Sequence, residues 1–268
     1  MFATTESDSR HADLDRRTTA DLLAAMNTED QTVPLAVAAA LPAIEHLVEA
    51  MVAALQAGKR VFYIGAGTSG RLGVVDASEL PPTFGVPHEL FTGLIAGGDG
   101  AIRKAVEFAE DDEAQAWQDL QAHGAQPGDV LIGIAASGRT PYVVGGLRQA
   151  RAAGLLTGCV VCNTGSAVAA EAEFPVEVVV GPEFVTGSTR LKAGTAQKLV
   201  LNMISTVAMI RLGRVKGSRM VHMQLTNHKL IDRGTRMLQA ELGIDSDQAA
   251  ALLRQYGSVA AVLAARTA

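Results

Sequence analysis

Two short segments of this chain combine glycine with hydroxyl side chains in a way that suits phosphate binding. They are Gly65-Ala-Gly-Thr-Ser-Gly-Arg71 and Ala135-Ala-Ser-Gly-Arg-Thr140, the second of which is followed by Pro141. Each comes directly after a short apolar run and precedes a stretch with helical character. Because the free amides at the start of a helix attract an anion, and nearby hydroxyls add donors, both segments indicate phosphate recognition.

The first segment also fits the glycine pattern of dinucleotide-binding loops, through Gly65, Gly67 and Gly70. A nicotinamide-dependent oxidoreductase is therefore one alternative, and a tight turn without a ligand is another. No acidic residue ends the second apolar run, where a ribose would need one, because Ile95 is followed by Ala-Gly-Gly-Asp99. Two hydroxyl-rich loops at one edge of a sheet fit a small phosphorylated ligand better than a long dinucleotide.

A third polar segment, Gly187-Ser-Thr-Arg-Leu-Lys-Ala-Gly194, precedes a long apolar helix and contains hydroxyl and basic side chains. Both the charge and the helix dipole favour an anion there. A solvated basic helix start is the alternative interpretation.

Two carboxylates are candidates for acid and base chemistry. Glu79 lies in Asp76-Ala-Ser-Glu79, where we expect Pro81 and Pro82 to stop the helix that the first glycine loop opens. Glu110 lies in a charged run at an expected break between two helical pieces. If both reach one crevice, they form an acid and base pair in which one carboxyl is kept protonated by burial or by its neighbour.

The elements that must position these residues alternate between short apolar runs and helical stretches. This alternation predicts an α/β fold with a doubly wound, mainly parallel sheet of five strands, and ligands in such sheets bind beyond the carboxyl ends of the strands. We expect strands at 61–64, 90–95, 130–134, 159–161 and 176–180. The helices between them are expected at 70–77, at 99–122 in two pieces, and at 141–153.

The sequence outside this central region is predicted to be helical. We expect a loose polar arm at 1–17, N-terminal helices at 18–29 and 34–57, and later helices at 190–212, 227–242, 246–254 and 257–265. The predicted organisation is an N-terminal arm with helices at 1–57, a ligand-binding domain at 58–215 and a C-terminal helical region at 216–268.

Composition excludes several classes of protein. The chain has 268 residues, of which 48% are hydrophobic, so it can bury a large core. The formal net charge of −5 argues against nucleic acid as a partner. The N-terminus shows no signal peptide and the apolar stretch 199–212 is too short and too polar to span a membrane, so we expect a cytoplasmic protein.

Cys159 and Cys162 form a Cys-x-x-Cys pattern, which invites a redox or metal interpretation. They lie in an apolar run that reads as a buried strand, where side chains three positions apart point to opposite faces. We therefore expect two separate core thiols and no metal site.

Five long motifs in the same order closely resemble those of the N-acetylmuramic acid 6-phosphate etherase family, whose fold is the sugar isomerase (SIS) domain. The similarity covers nearly the whole chain, from about Thr5 to the C-terminal helices. The motifs that carry it are Gly65-Ala-Gly-Thr-Ser-Gly-Arg-Leu-Gly73, Asp76-Ala-Ser-Glu79 with Pro-Pro-Thr-Phe-Gly85, Leu94-Ile-Ala-Gly-Gly-Asp99, Gly133-Ile-Ala-Ala-Ser-Gly-Arg-Thr-Pro-Tyr142, and Thr186-Gly-Ser-Thr-Arg-Leu-Lys-Ala-Gly-Thr-Ala-Gln-Lys198.

The resemblance implies a carbon–oxygen lyase that cleaves the D-lactyl ether of N-acetylmuramic acid 6-phosphate by elimination and water addition. The products would be N-acetylglucosamine 6-phosphate and D-lactate, formed without a metal or cofactor by a homodimer that takes part in cell wall recycling. By similarity, Glu79 and Glu110 are the catalytic residues, although which of them acts at C2 stays open. The residues expected to hold the sugar phosphate are Gly67, Thr68, Ser69, Ser137, Gly138, Arg139, Thr140, Ser188, Thr189 and Lys192.

A glucokinase regulatory protein carries a similar pattern without being an enzyme. A non-catalytic protein that senses a sugar phosphate is therefore the alternative function. Such a sensor needs the hydroxyl loops but no acid and base pair, so the presence of both Glu79 and Glu110 favours the lyase.

Overall fold

A central sheet of five strands confirms the predicted α/β architecture. The computed structural model describes residues 4–225 and 228–267. All neighbouring strands in this sheet are parallel, and their order is β2-β1-β3-β4-β5. The strands are β1 (Val61–Gly65), β2 (Phe91–Ile95), β3 (Val130–Ala135), β4 (Leu156–Val161) and β5 (Phe174–Glu177).

The inner strands β1, β3 and β4 are nearly continuous in apolar residues because both faces of the sheet are covered there. Every residue of β1 and β3 is buried. Successive residues of β1 enter different hydrophobic clusters, since Val61 and Tyr63 face one core and Phe62 and Ile64 face the other. This alternation follows from the two-residue period of a strand and explains why the helices must lie on both sides.

Twelve helices surround the sheet or follow it within the described residues. Those packed on the first face include α2, α3, α4 and α9, whereas α6, α7 and α8 cover the second. The helices are α1 (Thr19–Asp30), α2 (Val33–Ala39), α3 (Leu41–Gln56), α4 (Gly67–Phe84), α5 (Gly100–Arg103), α6 (Gln115–Ala122), α7 (Pro141–Ala152), α8 (Ala167–Glu171), α9 (Lys192–Arg211), α10 (His228–Leu242), α11 (Ser246–Tyr256) and α12 (Val259–Thr267).

Several sequence predictions of element bounds are wrong, including the start of β4, which lies at Leu156 instead of Cys159. The expected helix 34–57 is two helices, because Pro42 lacks the amide that would continue α2. The expected strand 176–180 is β5, which ends at Glu177 because that residue pairs with Val161, the last residue of β4. The expected stop at the two prolines after Glu79 does not occur, since the fixed φ of proline is compatible with a helix. Helix α4 continues to Phe84 and is followed by Gly85 in a left-handed conformation.

The two cysteines lie on opposite sides of the sheet, as expected. Cys159 belongs to one hydrophobic cluster and Cys162 to the other, and both are free and buried. Burial raises the pKa of each thiol to about 12. Both side chains are therefore neutral core residues at physiological pH.

The C-terminal part of the chain has a small core of its own. A short antiparallel hairpin of β6 (Val215–Lys216) and β7 (Arg219–Met220) precedes α10, α11 and α12. Residues from Val221 to Val262 form a third hydrophobic cluster. The predicted start of α10 at residue 227 lies outside the described residues, and the three-part division of the chain stays a prediction.

The described helices do not match the length and hydropathy of a single membrane span. Within the described residues, no single helix is long and apolar enough to cross a bilayer. One pair of helical segments, Thr19–Ala39 and Leu41–Gln56, together has the length and composition of a membrane span, but the two segments are bent by 57° relative to each other.

The start of α9 is held by buried charges. The carboxylate of Glu183 accepts hydrogen bonds from the backbone amides of Lys192 and Ala193, both at 2.9 Å. The Lys192 side chain is only 1% exposed, and its ammonium donates to Glu29 at 2.6 Å. His11 contacts the other oxygen of Glu29. These bonds join α1 to α9, which lie far apart in the sequence.

We predict that Gly145→Ala weakens the packing of α7. A methyl group on Gly145 would lie 1.9 Å from the backbone oxygen of Glu113, so the backbone has to move. The free energy of unfolding should fall by about 2 kcal/mol or more, measured by urea denaturation. Gly100→Ala is the matched control, because a methyl group there meets nothing within 4 Å. Equal unfolding midpoints for the two variants would contradict the packing of α7.

We also predict that Glu29→Gln destabilises the protein in a pH-dependent way. Burial alone would raise the pKa of Glu29, but hydrogen bonds from Lys192 and His11 hold this pKa below its ordinary value of 4.5. The carboxylate therefore contributes stability above pH 4.5, and this contribution is lost as the pH falls through the lowered pKa. The variant leaves a buried ammonium without its counter-charge, which costs about 3 kcal/mol at neutral pH.

Thermal or urea unfolding between pH 7 and pH 3 measures this effect. The deficit of Glu29→Gln should be largest at pH 7 and should close at acid pH, where Glu29 itself becomes neutral. Asp30→Asn, a substitution at the next and exposed residue of α1, is the control. A deficit that does not change with pH would show that the ion pair is not its cause.

Candidate active site

A cavity of about 390 Å³ lies beyond the carboxyl ends of β1 and β3. The sheet order reverses between these two strands, because β2 lies on one side of β1 and the later strands lie beyond β3. Ligands in doubly wound sheets bind at such a point. The residues that line the cavity are Glu6, Ala66, Gly67, Thr68, Ser69, Glu110, Ala136, Ser137, Arg139, Thr140, Pro141 and Thr189.

The first loop of the cavity is a sharp turn from β1 into α4. A methyl group on Gly70 would lie 2.6 Å from the oxygen of Gly65, and one on Gly65 would lie 2.7 Å from the nitrogen of Gly70. The two backbones therefore approach each other more closely than any side chain would permit. This close approach brings Gly67, Thr68 and Ser69 to the cavity at the start of α4, where the helix amides favour an anion.

Ser69 is fixed by a partner on another helix. Its hydroxyl donates to the side-chain oxygen of Gln197 at 2.9 Å, and both residues are buried. The amide nitrogen of Gln197 is buried and has no hydrogen-bond partner within the described structure. The bond joins the first turn of α4 to α9 and commits the proton of Ser69, so that its oxygen is left to accept from a ligand.

The second loop leads from β3 into α7. Ser137, Arg139 and Thr140 line the cavity, and Thr140 directly precedes the first residue of α7. The Thr140 side chain does not cap the helix. Gly138 has a φ of +69°, and a methyl group there would lie 2.3 Å from the Ser166 hydroxyl. Gly138 thus shapes the loop without lining the cavity.

The third polar segment contributes fewer residues to the cavity than the sequence indicates. Thr189 lines the cavity, whereas Ser188 and Lys192 are not among the lining residues. The Glu183 carboxylate accepts hydrogen bonds from the first amides of α9, and the ammonium of Lys192 forms an ion pair with Glu29. Arg139 is consequently the only cation among the described residues that line the cavity. The sequence gives no sign of these internal pairings, because the partners are separated by up to 163 positions.

Glu110 lines the cavity, and its catalytic role stays a prediction. It is exposed on a short 3₁₀ turn, Ala109–Asp111, and also lines an adjoining cavity of about 200 Å³. Phe108, just before this turn, has a φ of +61° and is 82% exposed. The guanidinium of Arg71 donates to the backbone oxygens of Ala101 and Ile102 and so holds part of the segment that precedes Glu110.

Glu79 does not reach this cavity within one chain. It lies twelve residues after Gly67 in α4, or about 18 Å along the helix axis, and its side chain is exposed. The structure therefore brings together Glu110 and the two hydroxyl-rich loops, but not Glu79. Its catalytic role stays a prediction.

The expectation of a loose N-terminal arm is wrong for its first described residues. Thr5 is fully buried, and its backbone amide donates to the side chain of Asn163 at 3.2 Å. This contact places Glu6 at the cavity, where its carboxylate lies 3.7 Å from the guanidinium of Arg139. Sequence reasoning missed Glu6 because its anchor is more than 150 residues away, and no local pattern marks it.

Within the described ranges 4–225 and 228–267, no three His, Cys, Asp or Glu residues are grouped as a metal site requires.

Comparison with known proteins agrees with this geometry. A sequence model of the glucokinase regulatory protein N-terminal SIS domain matches residues 43–151. The fold is similar to that of a phosphoheptose isomerase from Francisella tularensis, with a TM-score of 0.59 and 20% identity, covering 72% of this chain and 100% of that one.

Two curated relatives are much more similar in sequence. The N-acetylmuramic acid 6-phosphate etherase of Porphyromonas gingivalis is 58% identical over 95% of this chain and 93% of that protein. The protein of the same name from Christiangramia forsetii is 58% identical over 97% of this chain and 94% of its own length. Since the identity extends over nearly the full length of both proteins, the chain belongs to the N-acetylmuramic acid 6-phosphate etherase family.

Proposed function

We propose that this chain cleaves the D-lactyl ether of N-acetylmuramic acid 6-phosphate, giving N-acetylglucosamine 6-phosphate and D-lactate. One observation carries the proposal. A carboxylate, Glu110, lies in the same cavity as two hydroxyl-rich loops that each open a helix. The loops suit a phosphate monoester and the carboxylate suits proton transfer. The names of the curated relatives support this activity.

The phosphate is bound by the two loops. The helix amides at Gly67 and Thr68, the start of α7 and the hydroxyls of Ser137 and Thr140 converge on one cavity. Arg139 adds the positive charge there. Ser69 differs from these donors, because its hydroxyl already donates its proton to Gln197. Its oxygen can only accept a hydrogen bond, and an ionised phosphate oxygen has no proton to donate. Ser69 therefore accepts from a hydroxyl or amide of the sugar.

The reaction is an elimination followed by an addition. In the open-chain sugar the aldehyde at C1 makes the C2 proton acidic, and a base removes it. The C3–O bond to lactate then breaks, and a general acid protonates the departing oxygen. The same group removes a proton from water, which adds at C3 of the unsaturated aldehyde, and the base that took the C2 proton returns a proton to C2. Each step needs a carboxylate next to the reacting carbons, and Glu110 supplies one of the two.

The second carboxylate, Glu79, comes from another copy of the chain. A helix rise of about 18 Å separates it from the cavity of its own chain, so it reaches a site only across an interface. Val75, one turn earlier on the same face of α4, is 46% exposed although it is apolar. An apolar side chain beside a carboxylate suits a surface that a second subunit covers. We therefore propose a homodimer with shared active sites.

The alternative of a non-catalytic sensor is not favoured. The match to the regulatory protein covers only residues 43–151, whereas the match to the etherases covers nearly the whole chain. We further propose that the enzyme works in the cytoplasm, without an added cofactor, on sugar derived from the cell wall. The two buried thiols, which are free, fit a reducing compartment.

The function is tested by incubating the protein with N-acetylmuramic acid 6-phosphate and measuring D-lactate without added cofactor. Glu110→Gln should lower kcat about a hundredfold or more, because the carboxamide cannot take up a proton. Asp111→Asn is the control, since this exposed neighbour lies on the same turn and does not line the cavity. No lactate from the unaltered protein would overturn the function, and equal activities of the two variants would overturn the role of Glu110.

The shared site is tested by mixing two inactive variants. Glu79→Gln should abolish lactate release and leave the fold intact, with exposed Glu89→Gln as its control. When Glu79→Gln and Glu110→Gln subunits are dissociated and reassembled together, half of the dimers are mixed and each mixed dimer holds one intact site. Activity should return to about a quarter of the normal value. A mixture as inactive as its components would contradict a site shared between subunits.

A further inference from the structure

The N-terminal strap, defined as Thr4–Ser9, is a fixed wall of the cavity. The Asn163 side chain accepts from the amide of Thr5 at 3.2 Å and from the hydroxyl of Thr4 at 3.0 Å. It also donates to the Thr5 hydroxyl at 2.9 Å and to the backbone oxygen of Ser137 at 3.1 Å. One side chain thus fixes both the strap and the second loop of the cavity.

A second contact fixes the other end of the strap. The Ser9 hydroxyl donates to the backbone oxygen of Phe184 at 2.7 Å, and the Ser9 amide donates to the Thr186 hydroxyl at 2.9 Å. Phe184 and Thr186 precede the third polar segment, which supplies Thr189 to the cavity. Glu6 is therefore held between two anchors, one on each side of the site.

The carboxylate of Glu6 has a defined place in this wall. One oxygen lies 3.7 Å from the guanidinium of Arg139, and the other is next to Gly187, where an added methyl group would lie 3.4 Å from it. Both partners of the ion pair are largely exposed, so the pairing is weak and a ligand can replace it. Glu6 lines the cavity that we assign to the sugar phosphate.

We propose that Glu6 determines specificity by accepting hydrogen bonds from the hydroxyl groups of the sugar. The inference rests on the proposed function for the identity of the ligand. A carboxylate accepts hydrogen bonds and donates none, so it repels a phosphate and attracts hydroxyl and amide donors. The helix N-termini at Gly67 and Pro141 attract the phosphate, because their free amides and dipoles favour an anion. The phosphate is thereby directed to the loops and the sugar hydroxyls to the strap.

This division of the cavity separates recognition of the sugar from recognition of the phosphate. If Glu6 acts on the hydroxyls, its charge opposes the binding of a phosphate that carries no sugar. Removal of that charge should then lower the affinity for the sugar phosphate and leave the affinity for inorganic phosphate unchanged or raise it. A purely structural role of Glu6, as a support of Arg139 and the second loop, would lower both affinities together.

The experiment is a ³¹P NMR titration of the full-length protein with two probes, N-acetylglucosamine 6-phosphate and inorganic phosphate. Glu6→Gln keeps the shape of the side chain and removes its charge. The affinity for the sugar phosphate should fall about tenfold, because a charged acceptor is replaced by a neutral one. The affinity for inorganic phosphate should stay unchanged or rise. Asp8→Asn, the same change of charge on the strap at a residue that does not line the cavity, should leave both affinities unchanged.

Two results would overturn the proposal. A parallel loss of both affinities would show that Glu6 only supports the loop, and an unchanged affinity for the sugar phosphate would show that it does not contact the sugar. Thermal unfolding of Glu6→Gln serves as the control that this substitution at an exposed residue leaves the fold intact. If the unaltered protein binds the sugar phosphate but releases no lactate, the etherase activity fails while the role of Glu6 stands on the titration alone.

Discussion

The site depends on how closely the end of β1 approaches the first turn of α4. This short distance requires glycine at both contact positions, Gly65 and Gly70. A methyl group on either residue would collide with backbone atoms of the other. The turn places the first backbone amides of α4 at the cavity beyond the carboxyl ends of β1 and β3. The loop after β3 opens α7 at the adjoining position, since β1 and β3 are neighbours in the sheet. Two helix starts thus face one cavity, and their dipoles make it suitable for an anion.

Internal pairings decide how much of the available positive charge reaches that cavity. The start of α9 is a third helix N-terminus near the site, but Glu183 takes its first amides and Glu29 takes the Lys192 ammonium. Arg139 is left as the cation among the described lining residues, beside the carboxylates Glu6 and Glu110. In the proposed function, amides and hydroxyls hold most of the phosphate, and the carboxylates are assigned to proton transfer and hydroxyl recognition.

Much of the fold was predictable from the sequence, because the inner strands are nearly continuous apolar runs and each loop after a strand carries glycine. Residues of the two hydroxyl loops were predicted for the same reason, since Thr68, Ser69, Ser137 and Thr140 directly follow strands that pair. The position of Glu6 was not predictable, because it depends on Asn163, a partner distant in sequence. Neither was the pairing of Lys192 with Glu29, since local charge patterns do not reveal which basic side chain is buried. The helix that carries Glu79 continues past its two prolines, so the local stop signals placed the end of this helix too early.

The central claim is that the two helix-opening loops and the N-terminal strap enclose a sugar phosphate. A crystal structure of the protein with N-acetylglucosamine 6-phosphate tests it most directly. We expect the phosphate within hydrogen-bond distance of the Gly67–Ser69 amides and the Ser137 and Thr140 hydroxyls, with the sugar next to Glu6 and Glu110. A phosphate bound elsewhere, or a sugar turned away from both carboxylates, would contradict this account of the site.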